Sequence, residues 1–97
     1  MCGIVGYIGN KSGADVVLQG LEALEYRGYD SAGIALCENG KNQVIKQAGR
    51  VSGLVKTVEA QKADSNLVIG HTRWATHGSP TSINAHPQTN EAQTISV

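Results

Sequence analysis

The spacing of apolar residues along the chain predicts two amphipathic helices. The first carries apolar residues three or four positions apart between residues 14 and 24, and we place it at about residues 13–26. Ser12, followed three residues later by Asp15, is typical of a helix N-terminal capping pair. Val51, Leu54, Val55 and Val58 repeat the helical spacing and predict a second helix that begins near Ser52.

Short apolar runs between turn residues predict the strands. We expect them at residues 3–9, 34–37, 43–48, 67–70 and 93–97. The Asn39-Gly40 pair between the second and third runs is the signal of a tight antiparallel hairpin. Helices interleaved with an antiparallel hairpin favour an α+β fold over a doubly wound α/β fold.

The stretch from Arg73 to Thr89 has no periodicity and holds Gly, two Pro and two His residues among polar ones. A loop of this length in a small domain is usually functional or disordered. Because Arg73, Trp74, Thr76 and His77 lie close together in it, we interpret it as functional.

Composition narrows the class of protein. The 97 residues allow one small domain, and 8 basic residues cancel 8 acidic ones, which argues against a nucleic-acid partner or a polybasic membrane binder. No apolar run approaches the roughly 20 residues of a membrane span, and no secretory leader is recognisable, so a cytoplasmic protein is expected. The three His and two Cys lack zinc-site spacing, so we expect no metal and no cofactor.

Cys2 is the most informative residue because removal of Met1 would leave it a free α-amine beside its own thiol. An amine with a pKa of about 7.7–8.0 can act as the general base that a thiol needs to become a nucleophile near neutral pH. The alternative is a small buried residue that happens to be second. Cys37, in a predicted strand, is interpreted as a packed thiol.

The segment from Arg73 to Gly78 places a guanidinium, an indole, a hydroxyl and an imidazole within six residues. Arginine binds a carboxylate bidentately and tryptophan can exclude water, which points to a small acidic or zwitterionic ligand. A solvated loop with one anchored Trp is the alternative. For the cluster from Glu25 to Gly33, the residues alone favour a helix end followed by a polar turn, in which Arg27 and Asp30 pair locally.

Three blocks of sequence together resemble the glutaminase domain of the glutamine–fructose-6-phosphate aminotransferases, a family of class II glutamine amidotransferases. The blocks are Met1-Cys2-Gly3-Ile4-Val5-Gly6, Leu24-Glu25-Tyr26-Arg27-Gly28-Tyr29-Asp30-Ser31-Ala32-Gly33 and His71-Thr72-Arg73-Trp74-Ala75-Thr76-His77-Gly78, the last followed by Asn84-Ala85-His86-Pro87. The start Cys2-Gly3-Ile4 is shared by all class II amidotransferases, and the other two blocks narrow the resemblance to the hexosamine-forming branch. The resemblance implies part of an N-terminal nucleophile hydrolase fold, a four-layer αββα sandwich with antiparallel sheets.

The resemblance also implies residue roles. Cys2 would attack the side-chain amide of glutamine and release ammonia through a thioester. Arg73 would hold the α-carboxylate, with Thr76 and His77 in the same pocket, and Trp74 would belong to a loop that closes over glutamine. Arg27, near the nucleophile, and His86, behind the loop, would have supporting roles.

The resemblance sets the expected partners. They are glutamine and, only through an isomerase domain that we expect to lie outside this chain, fructose 6-phosphate, the acceptor that becomes glucosamine 6-phosphate. A homo-oligomer is expected, with neither nucleic acid nor membrane as a partner.

Family members carry a longer domain, so we expect residues 1–97 to be an N-terminal fragment of it and to be inactive alone. The segment that supplies the oxyanion hole would follow Val97. The alternative is a catalytically silent fragment that self-associates through its exposed faces.

Overall fold

The computed structural model describes residues 2–25, 30–74, 79 and 81–97. Along the chain the elements are β1 (Gly3–Ile8), α1 (Gly13–Leu24), β2 (Ser31–Glu38), β3 (Lys41–Ala48), α2 (Val51–Gln61) and β4 (Leu67–Arg73). The four strands form one sheet in the order β1-β4-β2-β3, and every neighbouring pair is antiparallel. The predicted α+β class and the antiparallel hairpin are confirmed.

Both helices pack on the same face of the sheet, where they enclose the core. Alternate strand residues point into it, among them Ile34, Leu36, Ile45 and Val68, all of them buried. Leu21 of α1 and Leu54 of α2 are also fully buried. One helical layer and one sheet layer are therefore present among the described residues, as expected for part of a layered sandwich.

The opposite face of the sheet is open along β1. Ile4 and Ile8 alternate with the core-facing Val5 and Tyr7, and their side chains are 74% and 79% exposed. Residues 81–97 cover part of the same face over β2 and β3, where Lys46 contacts the backbone of residues 83–85. This covered region lies beside the candidate site described below.

A local hydrogen bond caps the start of α1. Ser12 Oγ accepts a hydrogen bond from the backbone N–H of Asp15, so the predicted capping pair is confirmed. The first helix ends at Leu24, two residues before its predicted end, and the second begins at Val51, next to its predicted start. Asn39 and Gly40 both have positive φ values, 53° and 78°, as a tight hairpin turn requires.

Two strands are longer than predicted. The second begins at Ser31 rather than at residue 34, because its first residues pair with strands on both sides. The fourth continues to Arg73 instead of ending at Gly70, so the irregular segment begins one residue later than predicted. Polar side chains at Ser31, Thr72 and Arg73 concealed both extensions, since strand prediction weights apolar residues.

The strand predicted at residues 93–97 is wrong. Residues 88–97 form a turn closed by two backbone hydrogen bonds between Gln88 and Val97, with an isolated bridge between Thr89 and Ser96. The Asn90 side-chain carbonyl accepts from the N–H groups of Thr94 and Ile95. This local side-chain bonding competes with a strand ladder, and the apolar–polar alternation gave no sign of it.

Candidate functional site

The register of the sheet brings the three sequence blocks to one end. Gly3, at the start of β1, is paired with Thr72 near the end of β4, and Ser31, at the start of β2, is paired with Arg73. Cys2 therefore lies beside the end of β4, and β4 separates it from the start of β2. Blocks that are up to 70 residues apart in sequence meet along this short edge because the three strands are antiparallel neighbours.

Cys2 is exposed, and its thiol lies against the backbone of Trp74. The Trp74 N–H donates a hydrogen bond to Cys2 Sγ at 3.4 Å, and Sγ lies 3.9 Å from the Trp74 carbonyl oxygen. The N–H of the next residue, Gly3, donates to the buried hydroxyl of Thr72 at 3.1 Å. The hydrogen bonds at Cys2 Sγ and at the Gly3 N–H thus fix the position of the thiol beside the end of β4.

Arg73 is 8% exposed, which is unusual for an arginine. Its Nη1 donates to the carbonyl oxygen of Ser79 at 3.1 Å, and its own carbonyl accepts from the N–H of Asp30 at 2.8 Å. The guanidinium is thus held next to the segment that follows β4, on the sheet edge that also carries Cys2. Trp74, directly after the strand, is 48% exposed.

The other predicted site residues divide into two groups. Thr76, His77 and Arg27 lie outside the described residues. His86 is half-buried and stacks on the ring of His71, with centroids 4.5 Å apart and an angle of 26° between the rings. Its Nδ1 lies 3.4 Å from the carbonyl oxygen of Val97.

His71 is held in its neutral form. Burial of the ring, together with the positive charges of His86 and Arg73, lowers the pKa of His71 to about 4. Its Nδ1 is buried and has no hydrogen-bond partner among the described residues. His71 lies two residues before Arg73 on β4, so the stacked pair and the Arg73 side chain are on the same face of the sheet.

Known proteins resemble this chain over its whole length. It is 53% identical, across all 97 residues, to the glutamine–fructose-6-phosphate aminotransferase (isomerizing) of Clostridium acetobutylicum, and these residues make up 16% of that protein. The corresponding enzyme of Pyrococcus horikoshii is 56% identical over 89 residues, which are 92% of this chain and 15% of that protein. The chain is a homologue of part of these aminotransferases. No protein-family profile matches it.

Solved structures of amidotransferase type share the fold. Glutamine phosphoribosylpyrophosphate amidotransferase of B. subtilis, complexed with ADP and GMP, matches with a TM-score of 0.73 and 26% identity over 91% of this chain and 18% of that one. A structure described as the allosteric regulatory enzyme of purine biosynthesis gives a TM-score of 0.79 and 27% identity, over 96% of this chain and 20% of that one. The fold class inferred from the sequence is confirmed. The chain spans about one sixth of the length of its curated aminotransferase relatives.

Several contacts that shape the candidate site of this aminotransferase homologue were not predicted from the sequence. Thr72 and Ser79 fix the backbone of Gly3 and the guanidinium of Arg73, respectively. Residues 68, 70 and 72 alternate as buried positions along β4. A strand predicted to continue past Gly70 would therefore also have predicted that Thr72 faces inward. The sequence contains no signal for the contact between Arg73 and Ser79, because the acceptor is a backbone carbonyl in an irregular segment.

The second cysteine, Cys37, lies away from the sheet edge that carries Cys2 and Arg73. Cys37 is a half-buried free thiol near the far end of β2, where its carbonyl accepts a hydrogen bond from the Ser65 hydroxyl.

Within the described ranges, no three His, Cys, Asp or Glu side chains are grouped closely enough to hold a metal ion. Nor does any helix there have the length and apolarity needed to cross a membrane.

Proposed function

We propose that residues 1–97 belong to a glutaminase domain in which Cys2 is the nucleophile that attacks the side-chain amide of glutamine. The observation that carries the proposal is the meeting of Cys2, Arg73 and Trp74 at one end of three adjacent strands. A thiol and a buried guanidinium side by side are the two groups that an amide substrate with an α-carboxylate needs.

The reaction requires that Met1 be removed, so that the α-amine of Cys2 is free. The amine takes the thiol proton as the sulfur attacks the amide carbon of glutamine, and a tetrahedral intermediate forms. Its carbon–nitrogen bond then breaks, and the same proton passes to the departing ammonia. Water hydrolyses the resulting glutamyl thioester, releasing glutamate and restoring the thiol.

Arg73 would bind the α-carboxylate of glutamine. Its burial favours this role, because a guanidinium shielded from water binds an anion more strongly than an exposed one. Trp74, whose side chain is half exposed beside the thiol, would cover the bound substrate. Thr76 and His77, two and three residues farther on, would complete the pocket, while Arg27 and His86 would support it.

For the whole protein we propose the activity in the names of its relatives. Ammonia released at Cys2 would be passed to fructose 6-phosphate, bound by a part of the protein outside residues 1–97, and the product would be glucosamine 6-phosphate. The identity of 53% over all 97 residues supports this assignment over another amidotransferase specificity.

The test is release of glutamate from glutamine by the protein as encoded, compared with two cysteine variants. We expect Cys2→Ala to abolish it and Cys37→Ala, which removes the other free thiol, to leave it unchanged. Retention of activity in Cys2→Ala would contradict the proposal. Glutamine binding without hydrolysis in the unaltered protein would favour the catalytically silent alternative instead.

A further inference from the structure

Lys46, in the middle of β3, makes an unusual set of contacts for a lysine. Its Nζ donates hydrogen bonds to the carbonyl oxygens of Ile83 at 3.3 Å and Ala85 at 3.0 Å. The same two carbonyls accept from the Gln88 amide, at 3.1 and 2.8 Å. The ammonium therefore holds the backbone of residues 83–85 against the sheet, and its described contacts are with carbonyl oxygens.

A gap in the sheet face makes this contact possible. Lys46 is paired with Gly33 of β2, and a side chain at Gly33 would overlap the His86 carbonyl and lie 2.6 Å from Lys46 Cβ. Because Gly33 has no Cβ, the 83–87 segment can lie directly on the strands. Burial under that segment lowers the pKa of Lys46.

The segment that Lys46 holds is connected to the guanidinium of Arg73. The Asn84 side-chain amide donates to the Ser79 carbonyl at 2.9 Å. The same carbonyl accepts from Arg73 Nη1 at 3.1 Å. An unbroken series of hydrogen bonds and one short backbone segment therefore runs from Lys46 through Asn84 and Ser79 to Arg73.

We propose that Lys46 is a positioning residue for glutamine: by fixing residues 83–85, it sets the place of the Ser79 carbonyl and thereby the orientation of the Arg73 guanidinium. Lys46 itself does not contact the substrate. A charged donor suits this role because hydrogen bonds from an ammonium are about twice as strong as those from a neutral group. The inference rests on the proposed role of Arg73 in binding the α-carboxylate.

The test separates carboxylate binding from the reactivity of the thiol. Cys2 of the protein as encoded is alkylated in parallel by a diazo-ketone amino-acid analogue of glutamine, which carries the α-carboxylate, and by iodoacetamide, which does not. Intact mass and peptide mapping give the two rate constants for the unaltered protein, Lys46→Met, Lys46→Arg and Lys41→Met. Lys41 is an exposed lysine on the same strand and serves as the matched control.

We expect Lys46→Met to slow the diazo-ketone reaction roughly tenfold, as loss of a charged hydrogen bond would. The iodoacetamide reaction should stay within about twofold of its original rate. Lys46→Arg should keep most of the original rate of the diazo-ketone reaction, and Lys41→Met should change neither rate. Asn84→Ala should reproduce the selective loss, and its effect should not add to that of Lys46→Met, because both act on the same carbonyl.

Three results have distinct meanings. An unchanged ratio of the two rates in both Lys46→Met and Asn84→Ala would overturn the inference. An equal loss of both rates would also overturn it, because Lys46 would then support the fold rather than Arg73. If the unaltered protein showed no preference for the diazo-ketone, the proposed function itself would fail, which is a different outcome. Should Lys46→Met not fold, Asn84→Ala alone decides the inference.

Discussion

The thiol of Cys2 accepts a hydrogen bond from the backbone N–H of Trp74 at 3.4 Å, although the two residues are 72 positions apart in sequence. The contact exists because β1 and β4 are antiparallel neighbours that end together. It places the proposed nucleophile beside the arginine proposed to hold the substrate.

An N-terminal extension that stays attached until a protease is added should abolish the proposed hydrolysis of glutamine. A peptide bond to the Cys2 nitrogen would remove the amine that acts as general base, at a cost of about 10²-fold or more in the rate of glutamine hydrolysis. The measurement is glutamate release before and after a protease cleaves the extension directly ahead of Cys2. Cleavage should restore the rate, and full activity of the extended protein would contradict the role of the amine.

Arg73→Lys should raise the KM for glutamine by about tenfold or more, with a smaller change in kcat. A lysine keeps the charge but cannot form the two parallel hydrogen bonds that a guanidinium makes with a carboxylate. Steady-state kinetics with glutamine measure this effect. Arg50→Lys is the control, because the Arg50 side chain is 82% exposed and its ion pair with Glu25 is long, at 4.0 Å. Equal KM values for the two variants would exclude Arg73 as the carboxylate ligand.

Much of this fold could be predicted from the sequence because its core obeys simple periodicity. The helical spacing of Val17 and Leu21, and the Asn39-Gly40 turn, were sufficient to place α1 and the hairpin. The ends of β2 and β4 were missed because Ser31 and Thr72 are polar residues buried by tertiary contacts. Burial of this kind depends on which strands are neighbours, and the local pattern contains no information about that.

The candidate site was only partly predictable. The motif blocks identified Cys2, Arg73 and Trp74, but their proximity follows from the strand order, in which β4 lies between β1 and β2. The contacts of Lys46 and Arg73 with backbone carbonyls of residues 79–85 have no sequence signature, since every residue has a carbonyl. The stacking of His71 on His86 depends on how the segment that follows β4 folds back over the sheet, so only the structure shows it.

Gly33→Ala should destabilise the fold. The added methyl group would overlap the carbonyl of His86 and crowd Lys46 Cβ, and overpacking of this kind costs about 1–3 kcal/mol in the free energy of unfolding. For a chain of this length that is a decrease in Tm of roughly 4–8 °C per kcal/mol. Thermal unfolding measures it. Gly6→Ala is the control, since no atom of the described residues lies within 4 Å of a Cβ at that strand position, and its Tm should be nearly unchanged. A Gly33→Ala variant as stable as Gly6→Ala would show that residues 83–87 do not lie on Gly33.

His71 should make the folded state less stable in acid. Folding lowers its pKa from 6.5 to about 4, so the neutral form is favoured in the folded state. As the pH falls through 6.5, the unfolded chain takes up a proton that the folded chain does not, and the free energy of unfolding decreases. After a discount for a ring that is only half-buried, we expect a loss of about 1 kcal/mol between about pH 7.5 and pH 5.

His71→Phe should remove this contribution while keeping an aromatic ring against His86. The variant also eliminates a buried ring nitrogen that has no hydrogen-bond partner within the described part of the chain, so its stability near neutral pH should be equal or higher. Denaturant unfolding across the pH range, with the unaltered protein in parallel, measures both effects. Identical pH profiles for the two proteins would show that His71 is not held neutral by the fold.

The intact mass of the protein after exposure to the diazo-ketone analogue of glutamine tests the central claim most directly. The account predicts a mass that lacks Met1 and carries a single adduct, which peptide mapping places on Cys2 and which Cys2→Ala abolishes. Cys37→Ala should leave the adduct in place. A mass that retains Met1 and shows no adduct would contradict the account, because neither the nucleophile nor the site that binds glutamine would then have formed.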